Sequence, residues 1–188
     1  MRKVLQLLSI VVVGIAVALM LISPELVLIF GSPKYREAVY VIPPVAASVF
    51  FIFIYNILSM PQFYYEKTQF LMVASMAAAG ANVVLNFIFI RLFGYIAAGY
   101  TTLACYMLYS VGHYIVSKRI LVNEGIQENL MNPGFLVACS VFLIGASIIC
   151  NLIFPYRILR YAILLASAGL VFWKKELLLK TMADIRKK

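Results

Sequence analysis

Charge is what this sequence has least of. Of 188 residues, 12% are Asp, Glu, Lys or Arg, about half the quarter that is typical of a soluble domain. Against that stand 64% apolar residues and a mean hydropathy of +0.99. A soluble fold of this size has no surface on which to place so much apolar side chain, so the chain reads as an all-α integral membrane protein and a soluble enzyme is disfavoured. The same composition excludes a disordered, collagen-like or secreted disulfide scaffold.

Carboxylates are scarcer still. The seven that exist, Glu25, Glu37, Glu66, Glu124, Glu128, Glu176 and Asp184, fall at or beyond the ends of the apolar runs, which argues against an acid pair, a metal cluster or a proton-carrying carboxylate inside the membrane. Cys105, Cys139 and Cys150 lie within apolar runs and have no neighbour at metal or redox spacing, so each reads as a small core residue. GxGxxG, Walker and HExxH motifs are missing. No catalytic residue, metal or cofactor is therefore assigned, and the chain is not expected to be an enzyme.

What is present is basic. Lys and Arg number 16 against those 7 acids, a net charge of +9. These residues flank apolar runs instead of alternating with base-stacking aromatics, so they read as orientation signals and contacts to anionic lipid headgroups, and no nucleic-acid partner is expected. With Pro, Gly and charge clusters as breaks, six spans of about the 20 residues that cross a bilayer emerge, at 4–22, 38–60, 70–92, 96–116, 134–153 and 157–173. Pro155 marks a tight hairpin between the last two, and the first is read as a retained span, not a cleaved signal. Six spans put both termini on one side. That side holds Arg2, Lys3, Lys67, Lys118, Arg119 and the basic residues from Lys174 to Lys188, whereas the other holds Lys34, Arg36, Arg91, Arg157 and Arg160. The asymmetry places both termini in the cytoplasm of a multi-pass protein of the cell membrane.

This yields four helices over 1–116, a cytoplasmic loop at 117–133, a two-helix hairpin at 134–173 and a basic cytoplasmic tail at 174–188. Between the first two spans, Pro24 and Glu25 are expected to break the helix. Residues 26–30 would then form an apolar stub at headgroup depth. The run of Ala74, Ala77, Ala78, Ala79, Gly80 and Ala81 predicts that the third span is a buried helix which neighbours approach closely.

Polar side chains within the spans are aligned. Ser48, Tyr55 and Ser59, with Asn56 beside them, fall on one face of the second span; Ser75, Asn82 and Asn86 on one face of the third; and Thr102, Tyr106, Tyr109 and His113 on one face of the fourth. One reading makes Tyr55, Asn56, Asn82, Asn86, Tyr106, Tyr109 and His113 the lining of a hydrated route for a polar solute. The other makes them interhelical hydrogen-bond glue, worth about 0.6–2 kcal/mol each. Sequence alone leaves both open.

The segment PELVLIFGSPKYREAVYVIPPVA at 24–46 and the segment ANVVLNFIFIRLFGYIAAGYTTL at 81–103 resemble the polysaccharide and O-antigen flippases of the multidrug, oligosaccharidyl-lipid and polysaccharide exporter superfamily. The likeness rests on a span-ending proline with an apolar stub, and on an N-x-x-L-N run before a glycine turn. It covers 23–113, with departures at Arg91, Ala97 and Gly99. It implies part of the C-terminal lobe of a two-lobed flippase plus two extra helices. Its partners would be an undecaprenyl-diphosphate-linked oligosaccharide, membrane lipids, and a missing N-terminal lobe or another chain. Arg91 and Arg160 would be possible diphosphate contacts, or anchors at the membrane surface. A multidrug exporter portion and a non-transporting assembly subunit are the alternatives.

Overall fold

Six α-helices and one 3-10 helix, with no strand, make up the residues that the computed structural model describes, 2–127 and 130–173. The helices are α1 (Arg2–Phe30), α2 (Ile42–Tyr64), α3 (Gln69–Phe93), α4 (Ala97–Asn123), α5 (Pro133–Ile153) and α6 (Arg157–Trp173), with the 3-10 helix at Pro33–Tyr40. Among the described residues α1, α2, α3 and α5 are long and apolar enough to cross a membrane. The six expected spans are thus matched by four. α4 has the length, at 27 residues, but Tyr, Thr, Ser and His side chains interrupt its apolar surface. α6, with 17 residues, extends about 25 Å at 1.5 Å per residue, short of a hydrocarbon layer of about 30 Å. The expected tail at 174–188 lies outside the described residues.

Proline inside a helix strands the carbonyl four residues before it, yet α1 runs through Pro24 as one helix of 29 residues. The reason is local. The Ser23 hydroxyl donates to the Met20 carbonyl at 2.8 Å, which is the acceptor that Pro24 leaves without an amide. Arg160 of α6 donates to the next carbonyl, that of Leu21, at 2.9 Å. The expected break at Pro24 and the separate stub are therefore corrected: residues 26–30 are the last turns of α1, and the chain turns only at Gly31, whose amide donates to Val27 at 2.9 Å.

The 3-10 helix occupies the first residues assigned from sequence to the second span, so α2 starts at Ile42, with Pro43 and Pro44 in its first turn, where a missing amide costs nothing. Asn132 caps α5 by accepting from the Gly134 amide at 2.9 Å. Gly94, at φ +77°, turns α3 into α4. α4 continues to Asn123, so much of the loop expected from residue 117 is helical.

α2 is the hub, packed most extensively on α4 and also on α1 and α5. Its Phe50, Phe51, Ile54, Ile57 and Leu58 form the core with Met20 and Leu21 of α1, Leu103 of α4 and Leu143 of α5. Gly99 lets α4 close on the start of α2: a Cβ there would sit 2.9 Å from the Val41 carbonyl oxygen. Since lipid is as apolar as these side chains, their contacts act through close packing and not through removal from water.

α3 departs from expectation. It packs on α4 and scarcely meets α2, and none of its residues is buried. The prediction of a buried third span is overturned. Its small side chains do not draw a neighbouring backbone in; a Cβ added at Gly80 would meet nothing within 4 Å.

Candidate functional site

Because α3 leans on α4 and stands away from α2, a cleft of 450 Å³ opens between them. Tyr55 of α2 forms one wall, Ser75, Ala78, Ala79 and Asn82 of α3 the other, and Thr102, Cys105, Tyr106 and Tyr109 of α4 the floor. Ala78 and Ala79 leave room here that larger residues would fill. The volume is within the range of small-molecule sites, about 300–1,000 Å³. Tyr55 of α2 thus shares one surface with polar side chains of α3 and α4.

Its aromatic rings hold one another. Tyr55 lies parallel to Tyr106, with ring centroids 6.4 Å apart, and meets Tyr109 edge to face at 4.7 Å. Ser75 donates to the Leu71 carbonyl at 2.8 Å, which leaves its oxygen to accept from the Tyr109 hydroxyl at 2.7 Å. Asn82 and Asn86 are joined, Asn86 Nδ2 donating to Asn82 Oδ1 at 2.9 Å, and Thr101 donates to Asn86 Oδ1. Asn86 is therefore a bridge between α3 and α4 that orients Asn82 toward the cleft. Thr101, not singled out from sequence, completes the bridge.

The other sequence candidates lie outside the lining. Asn56 bonds back to the Ile52 carbonyl at 2.7 Å on an exposed face. Ser48 and Ser59 are buried and bond to their own helix. His113 is fully buried beneath the cleft, its ring 4.5 Å from that of Tyr109, 5.8 Å from Tyr55 and 5.4 Å from Phe70. Gln62, which the sequence reading passed over, donates to His113 Nδ1 at 2.8 Å. A lone amide after Pro61 in an apolar run was the available signal.

Arg91 stacks on Phe87, 3.8 Å from its ring centre. Arg160 is a buried residue, not a surface anchor: it is 3% exposed and donates through both terminal nitrogens to Glu25, at 2.9 and 3.0 Å, while Tyr161 donates to the same carboxylate at 2.8 Å. Glu25 thus lies within α1, against the expectation that every carboxylate sits at or beyond a span end. A carboxylate in the last turns of α1 and a guanidinium in the first turn of α6 are tolerable against apolar helices because each neutralises the other.

Four helices able to cross a bilayer fit an integral membrane protein of the all-helical class, with two of them, α2 and α3, walling the cleft over α4. Beyond that class, no protein-family model, curated protein or solved structure matches the chain.

Proposed function

We propose that the chain is part of a flippase that moves an undecaprenyl-diphosphate-linked oligosaccharide across the cytoplasmic membrane for surface-polysaccharide synthesis. The observation that carries the reading is the cleft: hydroxyls, an amide and three tyrosine rings share one surface inside an apolar bundle. A sugar headgroup needs such a lining, since it cannot shed its water into hydrocarbon without replacement hydrogen bonds, and aromatic faces suit the apolar faces of sugar rings. The resemblance in 24–46 and 81–103 supports the same substrate class.

In this reading the chain crosses six times with both termini cytoplasmic. α4 joins the spans because its polar side chains turn toward the cleft and α2, and α6 joins them as a short span met by local thinning of the bilayer, its Arg160 neutralised by Glu25. Alternating access needs two bundles around a shared site, so the open side of the cleft along α3 belongs to a second lobe or another chain. Arg91 is the cation left to meet the diphosphate, since Arg160 is engaged. An exporter of cationic drugs would use an uncompensated carboxylate in the membrane, and Glu25 is compensated, which favours the flippase over that alternative.

Cysteine scanning tests the reading. Small polar reagents are expected to reach cysteines at positions 55, 82, 106 and 109, and not those at 12, 143 or 165; equal protection of both sets would end it and leave a non-transporting assembly subunit. In a transporting assembly, Asn86→Leu is expected to lower transport beyond any loss of protein, because Asn86 orients Asn82. Reagent access at Lys34 from the outer side of intact cells checks the orientation.

A further inference from the structure

On the other side of α4 from the cleft, a groove of 320 Å³ runs between α4 and α5, with α2 as its floor. Both flanking helices pack on α2 but scarcely meet each other. Met107, Val111 and Tyr114 line the groove from α4, at i, i+4 and i+7, and Lys118, one turn further on, continues the same helix face. Thr102, Cys105 and Tyr109, which floor the cleft, lie on the opposite face. From α5 the lining extends from Pro133 to Ile144, which at 1.5 Å per residue is about 16 Å, the depth of one leaflet of a hydrocarbon layer of about 30 Å. Apart from Tyr114 at its end, the lining is apolar: Ser110 donates to the Phe51 carbonyl and Ser140 to the Leu136 carbonyl, each at 2.8 Å, so neither offers its proton to an occupant.

We propose that this groove takes one acyl chain of an anionic membrane phospholipid, whose phosphate is held at Lys118. A gap of this size inside a bilayer does not stay empty, since its walls would lose their dispersion contacts, and its apolar lining gives water too few partners. Val111 and Val137, at 55% and 61% exposure, leave it open toward lipid, so a chain enters sideways. A chain lying along the groove brings its headgroup to the end marked by Tyr114 and Pro133, where Lys118 follows on the same face of α4. Lys118 is exposed and forms no ion pair among the described residues, whereas the acid further along α4, Glu124, is engaged by Lys67 at 2.9 Å. An unpaired cation there favours an anionic headgroup over a neutral one. The prenyl tail of a lipid whose headgroup lay in the cleft is the poorer occupant, because it would have to pass around α4 to reach the opposite face. The proposal rests on α4 crossing the bilayer and not on what the cleft carries.

Quenching by brominated lipid tests it. Trp173 is the one tryptophan in the sequence; with Trp173→Phe in the full chain, reconstituted into phosphatidylcholine bilayers, a single tryptophan is placed at Tyr114 or at Val73, which is exposed on α3. Phosphatidylglycerol brominated on its acyl chains is expected to quench Tyr114→Trp as though enriched about fivefold over its share of the bilayer, the worth of one lysine near the surface, and to quench Val73→Trp in proportion to that share. Lys118→Gln should bring the enrichment at Tyr114→Trp down to the Val73→Trp value. Equal quenching at the two positions, or an enrichment that survives Lys118→Gln, would overturn the proposal. So would recovery of fluorescence on adding a small fraction of undecaprenyl phosphate, which would give the groove to a prenyl chain. In the unaltered chain, spin-labelled phosphatidylglycerol should be held in preference to spin-labelled phosphatidylcholine; no preference would refute the site, whatever the folding of the variants. Because neither readout is transport or reagent access to the cleft, failure here is distinct from failure of the flippase reading.

Discussion

Replacing Arg160 with methionine removes three hydrogen bonds at once: those to Glu25 Oε1 and Oε2, at 2.9 and 3.0 Å, and that to the Leu21 carbonyl, at 2.9 Å. The arginine side chain is 4% exposed and that of Glu25 is 20% exposed, so the carboxylate left behind has little water to turn to. Removing one partner of a buried pair costs about 3–5 kcal/mol. Glu25 retains the Tyr161 hydroxyl at 2.8 Å and some solvent, which puts Arg160→Met near the low end, about 3 kcal/mol, or roughly a hundredfold in the folding equilibrium. Glu25→Leu strands the more deeply buried arginine and should cost about 4 kcal/mol. The double variant strands neither charge, so its loss should be well below the sum of the two, leaving a coupling of several kcal/mol. Reversible unfolding in mixed micelles, followed by circular dichroism, measures all three. Single variants that each cost under about 1 kcal/mol, or a double variant that costs their full sum, would refute the reasoning, since the pair would then be screened like a surface contact.

At Gly99, valine must place its Cβ 2.9 Å from the Val41 carbonyl oxygen, so Gly99→Val should destabilise the chain by about 1–3 kcal/mol through separation of α4 from α2; stability equal to the parent protein in the same unfolding assay would contradict this. Ser23→Ala withdraws the donor that the Met20 carbonyl has in place of the Pro24 amide, at a cost of about 1–3 kcal/mol. Amide exchange should rise over residues 25–30 and stay unchanged over residues 8–18, and a uniform response along α1 would show that Ser23 does not carry the helix through its proline.

Gly94 and Pro133 are legible as a turn and a helix start because their backbone restrictions act locally, whereas the span expected from residue 38 runs past Pro43 and Pro44, which mark where α2 begins. Pro24 misleads for the complementary reason. Its breaking effect is local, whereas part of what offsets it comes from Arg160, 136 positions along the chain and invisible to any window around the proline. The polar faces of α2, α3 and α4 were readable from spacing alone, and Tyr55, Asn82, Tyr106 and Tyr109 do share one cleft. Asn56 was misplaced with them because adjacency in sequence turns a residue about 100° around a helix, far enough to face away.

Composition and periodicity by themselves determined that this chain is helical and suited to a membrane, since apolar content and the period of polar residues are properties of the sequence before any helix meets another. Only the tertiary structure decided what the small residues of α3 do, and which polar atoms find partners. An alanine-rich face can admit a neighbour or leave a gap, and the difference depends on where α2 and α4 stand. Glu25 and Arg160 likewise become a buried pair only when α6 folds back against α1, because the attraction that makes their burial tolerable falls with distance in space and takes no account of separation along the chain.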